Sequence, residues 1–198
     1  TFLIIVEEYQ MQFLSNRKVP IGFVLIALMA ATRSNLFNHF GTASFLPDAS
    51  LAIFILAGFF IASPFFFAAL MLEAVVIDYL AITHFGVSDY CVTVAYWGLI
   101  PTYFVLWAAG RFYARIAQNN LRSLSVFAAI SFVALSLAFF ISNGAFYAFS
   151  GKFAEMSFAE YAARVAQYYA PYLSSGVTYL VPVALIYALA QQRLKAHA

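Results

Sequence analysis

The only cysteine of the chain, Cys91, lies in a short polar segment between two long apolar segments. A single thiol cannot form an internal disulfide, and a structural zinc site would need about four ligands. The thiol can serve as a small packing residue, as a nucleophile, or as one soft ligand to a metal. A single thiolate suits a metal that is already held by a macrocycle, and haem and a corrin both meet that description.

The histidines are a second source of metal ligands. There are three of them, and one, His197, lies in the C-terminal tail. His39 follows Asn38 and precedes Phe40 and Gly41. We expect His39 either to approach a bound metal from the face opposite the thiol or to be an ordinary surface residue. A bis-histidine haem held by His39 and His84 is a further alternative.

Two acidic residues, Glu73 and Asp78, interrupt one of the apolar segments. An ionisable side chain inside a membrane is costly, so it generally faces a cavity or a partner and marks a functional position. Asp78 is the nearer of the two to Cys91, and it could accept hydrogen bonds from amide groups of a polar ligand. The alternative is a structural partnership with an internal Arg or Tyr. No role follows for Glu73.

Tyr96 and Arg164 complete the set of candidate ligand-binding residues. Tyr96 comes five residues after Cys91, and with Tyr90 and Trp97 it brings aromatic rings close to the thiol. Tyr and Trp are also common at membrane interfaces for reasons unrelated to binding. Arg164 could hold a phosphate or pair with an acid, or it could simply be solvated.

The composition predicts an integral membrane protein. Of 198 residues, 65% are hydrophobic and only 9% are charged, whereas a soluble domain carries about 25% charged residues. A net charge of +2, dispersed along the chain, does not indicate nucleic-acid binding. The absence of a P-loop from the sequence argues against ATP hydrolysis. We give little functional weight to Thr1–Gln10, which precede Met11 and could be vector-derived or upstream sequence.

We expect one all-α transmembrane domain, residues 1–198, with six spanning helices. A span needs about 20 apolar residues. An amphipathic pattern between the fifth and sixth spans predicts a surface or capping helix over Met156–Tyr169. Pro101 is a candidate kink in the fourth span. The six predicted spans are Val19–Asn35, Leu46–Ala62, Pro64–Thr83, Val92–Tyr113, Leu121–Ser142 and Tyr169–Ala190.

The basic residues predict that both termini lie inside the cell. Cytoplasmic segments carry an excess of Lys and Arg, and seven of these residues fall on the inner side in this orientation against three on the outer. His39, Cys91 and Arg164 then share the outer side. The inner set is Arg17, Lys18, Arg111, Arg115, Arg122, Arg193 and Lys195, and the outer set is Arg33, Lys152 and Arg164.

Six helices in about 200 residues, with ligand loops outside, resemble the substrate-binding S-components of energy-coupling-factor (ECF) vitamin transporters. Ala27 and Ala31, four residues apart on the first helix, resemble the small-residue motif with which such proteins dock a transmembrane coupling subunit. Within that superfamily the ordered polar residues resemble the BtuM family of small vitamin B12 transporters. The residues that carry this likeness are Asn38-His39-Phe40-Gly41, Asp78, Asp89-Tyr90-Cys91, Tyr96 and Arg164.

The resemblance implies a multi-pass protein of the bacterial inner membrane that binds and takes up cobalamin. The Cys91 thiolate would be an axial ligand to cobalt, with His39 at the opposite face. Asp78 and Arg164 would meet amides or the nucleotide phosphate. Thiolate ligation would labilise the group trans to it, so Cys91 could also remove a cyano ligand. The alternatives are an S-component for another vitamin, a membrane haem-binding protein, and a membrane enzyme with a thiol nucleophile.

Overall fold

The computed structural model describes residues 18–33, 46–118 and 120–196. In this part of the chain all regular structure is helical, which confirms the predicted all-α class. A short 3₁₀ helix, Val94–Gly98, precedes α4. The seven α-helices are α1 Lys18–Thr32, α2 Ser50–Phe60, α3 Pro64–Phe85, α4 Leu99–Ile116, α5 Leu121–Phe149, α6 Phe158–Ala166 and α7 Tyr169–Ala196.

Among the described residues, three helices are long and apolar enough to cross a membrane, which indicates a multi-pass membrane protein. They are the segments Pro64–Phe85, Arg122–Phe149 and Tyr169–Ala190. The apolar helix α1 is shorter. Two arginines in the last two turns of α4, Arg111 and Arg115, lower the mean hydropathy of that helix.

The second predicted span, Leu46–Ala62, differs most from the structure. The helix formed there, α2, has only 11 residues, and at 1.5 Å per residue it is about 16 Å long. That is roughly half the thickness of a bilayer core. Every residue of α2 from Ser50 to Gly58 is buried, so α2 is a central core helix surrounded by the others.

Two glycines bring α2 and α4 into direct backbone contact. A Cβ atom on Gly58 would overlap the carbonyl oxygen of Trp107, and one on Gly110 would overlap that of Ile55. Only hydrogen fits at either position, and α2 makes its most extensive helix contact with α4. Phe54 of α2 stacks on Tyr103 of α4, with ring centroids 4.2 Å apart. This crossing fixes the depth of α4 relative to the core.

The start of α3 follows the predicted break at Ser63-Pro64. The Ser63 hydroxyl accepts a hydrogen bond from the Phe66 amide, and Pro64 occupies the first turn, where its missing N–H costs nothing. The helix ends at Gly86, whose φ of 67° is left-handed. Pro101 likewise lies in the first turn of α4, so it does not kink that helix as the sequence suggested.

The amphipathic helix predicted between the fifth and sixth spans forms as α6. Its N-terminus is a capping box, in which the Ser157 hydroxyl accepts from the Glu160 amide and the Glu160 carboxylate accepts from Ser157. These hydrogen bonds lower the pKa of Glu160. Tyr161 is the buried residue of α6. The helix therefore packs through one face and lies at the same end of the bundle as Cys91, here called the Cys91 end.

Candidate functional site

Cys91 lies in a tight turn between α3 and the 3₁₀ helix, and its thiol is exposed and unbridged. The Val92 amide donates to the Asp89 carbonyl over 2.8 Å, and the Thr93 amide donates to the Cys91 carbonyl over 3.1 Å. These bonds fix the backbone on both sides of the thiol. The turn thus holds the sulfur at a defined place, where an approaching molecule can reach it.

Aromatic rings connect the Cys91 turn to α6. The Tyr90 ring lies 5.8 Å from that of Phe146 on α5. Phe146 contacts Phe153 at 5.6 Å, and Phe153 contacts Tyr161 of α6 at 4.7 Å. The Lys152 ammonium lies 3.8 Å from the centre of the Tyr90 ring. We call Tyr90, Phe146, Phe153 and Tyr161 the aromatic chain.

The aromatic chain links the turn that carries Cys91 to Tyr161 of α6, and Arg164 lies three residues after Tyr161 on the same helix. Burial is the main cause that raises the pKa of Tyr161 above its ordinary value. Tyr90 raises this pKa further, the Arg164 cation lowers it, and Cys91 raises it. Charge interactions of this kind weaken with distance, and screening limits their reach. Cys91 and Arg164 thus act on this pKa in opposite directions.

A cluster of polar residues centred on Arg33, at the end of α1, forms the second part of the site. Its guanidinium donates to both carboxylate oxygens of Asp78, from Nε over 2.9 Å and from Nη2 over 2.7 Å. Nη1 donates to the Ser50 hydroxyl over 3.0 Å and to the Tyr103 hydroxyl over 2.8 Å. Tyr96 donates to Asp78 over 2.7 Å. We call these five residues the Arg33 network.

The Arg33 network surrounds a buried arginine and joins five segments. Arg33 is only 5% exposed, so the charge on α1 is held by a carboxylate on α3, a serine on α2 and tyrosines on α4 and the 3₁₀ helix. A buried bidentate Arg–carboxylate pair, supported here by the two further hydrogen bonds from Nη1, is the arrangement that offsets the cost of desolvation. The network therefore fixes α1, α2, α3 and α4 relative to one another at the Cys91 end.

A small polar cavity adjoins the network. It has a volume of about 210 Å³. Asp48 lies 3.8 Å from Arg33 and also accepts hydrogen bonds from the amide and the hydroxyl of Ser50. The Tyr172 hydroxyl is buried without a hydrogen-bond partner in the described part of the chain. The lining is Asp48, Leu51, Leu99, Thr102, Tyr103, Ser142, Tyr172 and Ser175.

The structure separates the predicted site residues into two groups. Cys91 and Arg164 lie at the aromatic chain, whereas Asp78 and Tyr96 are bonded to each other within the Arg33 network. The other histidine considered, His84, is exposed, and its Nδ1 lies 2.6 Å from the Thr83 hydroxyl. His39 falls outside the described residues. Among the described residues, no group of three or more His, Cys, Asp and Glu side chains could hold a bare metal ion.

The role of Arg33 is what the sequence reasoning missed. Its polar neighbours suggested the outer end of a span, and Arg33 was therefore counted with the outer basic residues. The intramembrane acid itself was the signal, because such a residue usually has a partner. The alternative given for Asp78, a partnership with an internal Arg or Tyr, is what the structure shows, although the sequence did not single out Arg33 as the arginine. Glu73, the other intramembrane acid, has both carboxylate oxygens buried and makes no hydrogen bond in the part of the chain that the structure describes.

Ala27 and Ala31, the predicted docking pair, are both exposed on α1. The residues of α1 that face the core are others, including Leu25 and Met29. The pair thus lies on the surface of the bundle, where another helix could approach.

Comparisons with known proteins add no family to this description. No family model matches the chain, and a search of curated proteins finds no significant match.

Proposed function

We propose that this chain is a membrane protein that binds and takes up cobalamin, with the Cys91 thiolate as an axial ligand to cobalt. The observation that carries the proposal is the exposed thiol on a fixed turn, in a chain with no other cysteine. A soft thiolate binds a transition metal well. One protein ligand suffices when a macrocycle supplies the others, so a corrinoid does not need the group of three or more ligating side chains that is missing among the described residues.

The surroundings of the thiol match the chemistry of a corrinoid. Cobalamin combines an apolar macrocycle face with a polar rim of amides and a phosphate. The aromatic chain beside Cys91 offers ring surfaces for apolar packing. Arg164 supplies a planar cation suited to a phosphate. The proposal keeps His39 as a ligand at the opposite face of the metal.

In this proposal Asp78 and Tyr96 act as positioning residues, because both are held within the Arg33 network. Asp78 accepts hydrogen bonds from Arg33 and from Tyr96. A carboxylate held in this way ties Tyr96, and with it the 3₁₀ helix that follows the Cys91 turn, to α3. Any bond from Asp78 to an amide of the ligand would be made with this network already in place.

Thiolate ligation would have a chemical consequence for cyanocobalamin. The sulfur donates electron density to cobalt and weakens the bond trans to it, so cyanide would leave with its electron pair. The activity is thus a thiol-dependent decyanation that accompanies uptake. A Cys91→Ala protein should release no cyanide from cyanocobalamin, whereas the wild type should release about one equivalent. Continued release by the variant would contradict this part of the proposal.

The proposal places six spans in a bacterial inner membrane, with both termini inside. Transport would either use a shared ECF coupling module that docks on Ala27 and Ala31 or be carried out by the protein acting alone. Replacing both alanines with Leu should abolish co-purification with such a module while leaving cobalamin binding intact. If the double variant still co-purifies with the module, the docking assignment is wrong.

Colour tests the proposed ligand class directly. Protein purified from cells grown with cobalamin should carry a corrin spectrum, and cells grown without it should yield colourless protein that becomes coloured on addition of cobalamin. The same test can be made with a Cys91→Ser variant. Its matched control is Ser88→Ala, because Ser88 is exposed in the loop that carries Cys91. A Soret band would favour the haem alternative and contradict the proposal.

A further inference from the structure

Glu73 lies near the middle of α3 and takes no part in the Arg33 network. It is the tenth of the 22 residues of this helix, which places it about 14 Å from the start of the helix at 1.5 Å per residue. That depth is close to the centre of a bilayer core about 30 Å thick. Both carboxylate oxygens are buried, and neither has a hydrogen-bond partner in the part of the chain that the structure describes.

Two contacts show that α1 and α3 run parallel, side by side. Near the start of both helices, a Cβ atom on Gly22 would lie 3.4 Å from the ring of Phe66. Near the end of both helices, Arg33 is bonded to Asp78. The residue numbers of the two helices differ by 44 at the first contact and by 45 at the second. Glu73 therefore lies at the depth of residues 28 and 29 of α1.

The neighbouring residues at this depth are apolar and buried. Met29 of α1 is fully buried. On α3, Leu70 and Ile77 lie about one turn before and after Glu73, and both are buried. An acid among such residues has no water to solvate its charge.

The helices packed against α3 offer Glu73 little compensating charge. Among the described residues, Arg33 is the charged group that acts on Glu73, and its guanidinium is already bonded to Asp78, Ser50 and Tyr103. The helix α2 carries no titratable side chain. The titratable groups of the other elements are Lys18 and Arg33 on α1, Tyr96 on the 3₁₀ helix, Tyr103, Arg111, Tyr113 and Arg115 on α4, and Asp78, Tyr79 and His84 on α3 itself.

We propose that Glu73 is a proton-binding site, which holds a proton while α1 and α3 are packed together and releases it to water when they separate during uptake. A buried carboxylate without a partner is costly, and its neutral acid is much less so. On release the O–H bond breaks, its electron pair stays on the carboxylate, and a water molecule accepts the proton. Because the charged form does not fit between the packed helices, proton release and helix movement are coupled. The link to uptake rests on the proposed transport of cobalamin.

Infrared spectroscopy tests the proton site without any ligand. At neutral pH the purified full chain should show the carbonyl stretch of a protonated carboxylic acid, and Glu73→Gln should lose that band. Glu155→Gln is the matched control, because Glu155 is exposed, and it should keep the band. Glu73→Met should melt at or above the temperature of the wild type, since an apolar side chain of similar size needs no hydrogen bond. An unchanged band in Glu73→Gln, or a lower melting temperature for Glu73→Met, would overturn the proposal.

Uptake of cyanocobalamin into proteoliposomes tests the coupling. A pH gradient should change the rate of uptake by the wild type and by Glu155→Gln. Glu73→Gln should lose this response while it binds cyanocobalamin with the affinity of the wild type, which also shows that the variant is folded. A wild-type response to the gradient in Glu73→Gln would show that the coupling is wrong. If the wild type binds no cobalamin, the proposed function fails, and the infrared result still decides whether Glu73 holds a proton.

Discussion

At the scale of single residues, Arg33 shows how a charge is accommodated inside this bundle. Its guanidinium makes four hydrogen bonds, two of them to Asp78. Removing one partner of a buried ion pair leaves the other charge uncompensated and typically costs about 3–5 kcal/mol. The pair is thus a point at which a single substitution should have a large effect on stability.

We therefore expect Asp78→Asn to lower the free energy of unfolding in detergent by about 3 kcal/mol. Asp89→Asn is the matched control, because Asp89 is an exposed residue of the Cys91 turn. The double variant Arg33→Gln with Asp78→Asn should lose less stability than the two single variants summed, since it removes both charges. Strict additivity would show that the two side chains are not coupled.

The sequence identified Asp78 but not its partner, for a reason at the residue scale. Asp78 is recognisable because a carboxylate within an apolar run has few explanations. Arg33 adjoins polar residues at the end of its span, and there a buried arginine and an interfacial one look alike. Tyr103 and Ser50 gave no signal, because hydroxyl groups are ordinary in membrane helices and only the three-dimensional contact gives them a role.

At the scale of helices, the crossing of α2 and α4 depends on glycine. The added Cβ of Gly58 would meet backbone atoms of Trp107 and Arg111, and backbone cannot yield as the end of a flexible side chain can. Segment lengths were predicted well where the apolar run ended at a helix signal, as at Pro64. The length of α2 was predicted poorly, because hydropathy cannot distinguish a lipid-facing helix from one buried by its neighbours.

Gly58→Ala should therefore destabilise the protein by about 3 kcal/mol or more, as expected for overpacking that forces the backbone apart. Gly144→Ala is the matched control, because its Cβ enters open space, and it should be neutral or stabilising by up to about 1 kcal/mol. Thermal unfolding of both variants in the same detergent measures the difference. Equal melting temperatures would contradict the close crossing.

At the scale of the whole molecule, the helices place the candidate ligand-binding elements at one end. The Cys91 turn, the start of α7 and the capping helix α6 meet there, beside the Arg33 network. In the part of the chain that the structure describes, three helices have the length and composition to cross a membrane. The six-span arrangement with this end outward is the proposal that joins these observations to uptake from outside the cell.

The single cysteine makes the orientation testable in the wild type. A membrane-impermeant maleimide should label Cys91 in intact spheroplasts, because the thiol is exposed and the proposed topology puts it outside. Cys91→Ser combined with Gln118→Cys moves the only thiol to the opposite end, where Gln118 is exposed. That protein should be labelled only after permeabilisation. The reverse pattern would mean that the proposed orientation is wrong.

The most direct test of cobalt ligation is the absorbance spectrum of bound cobalamin in the wild type and in Cys91→Ser. A thiolate at cobalt should shift the corrin bands of the wild-type complex away from those of the free vitamin. The Cys91→Ser complex should lack that shift and bind at least about tenfold more weakly, a loss of ~1.4 kcal/mol. An identical shift and affinity in both proteins would contradict the assignment of Cys91 as the ligand to the metal.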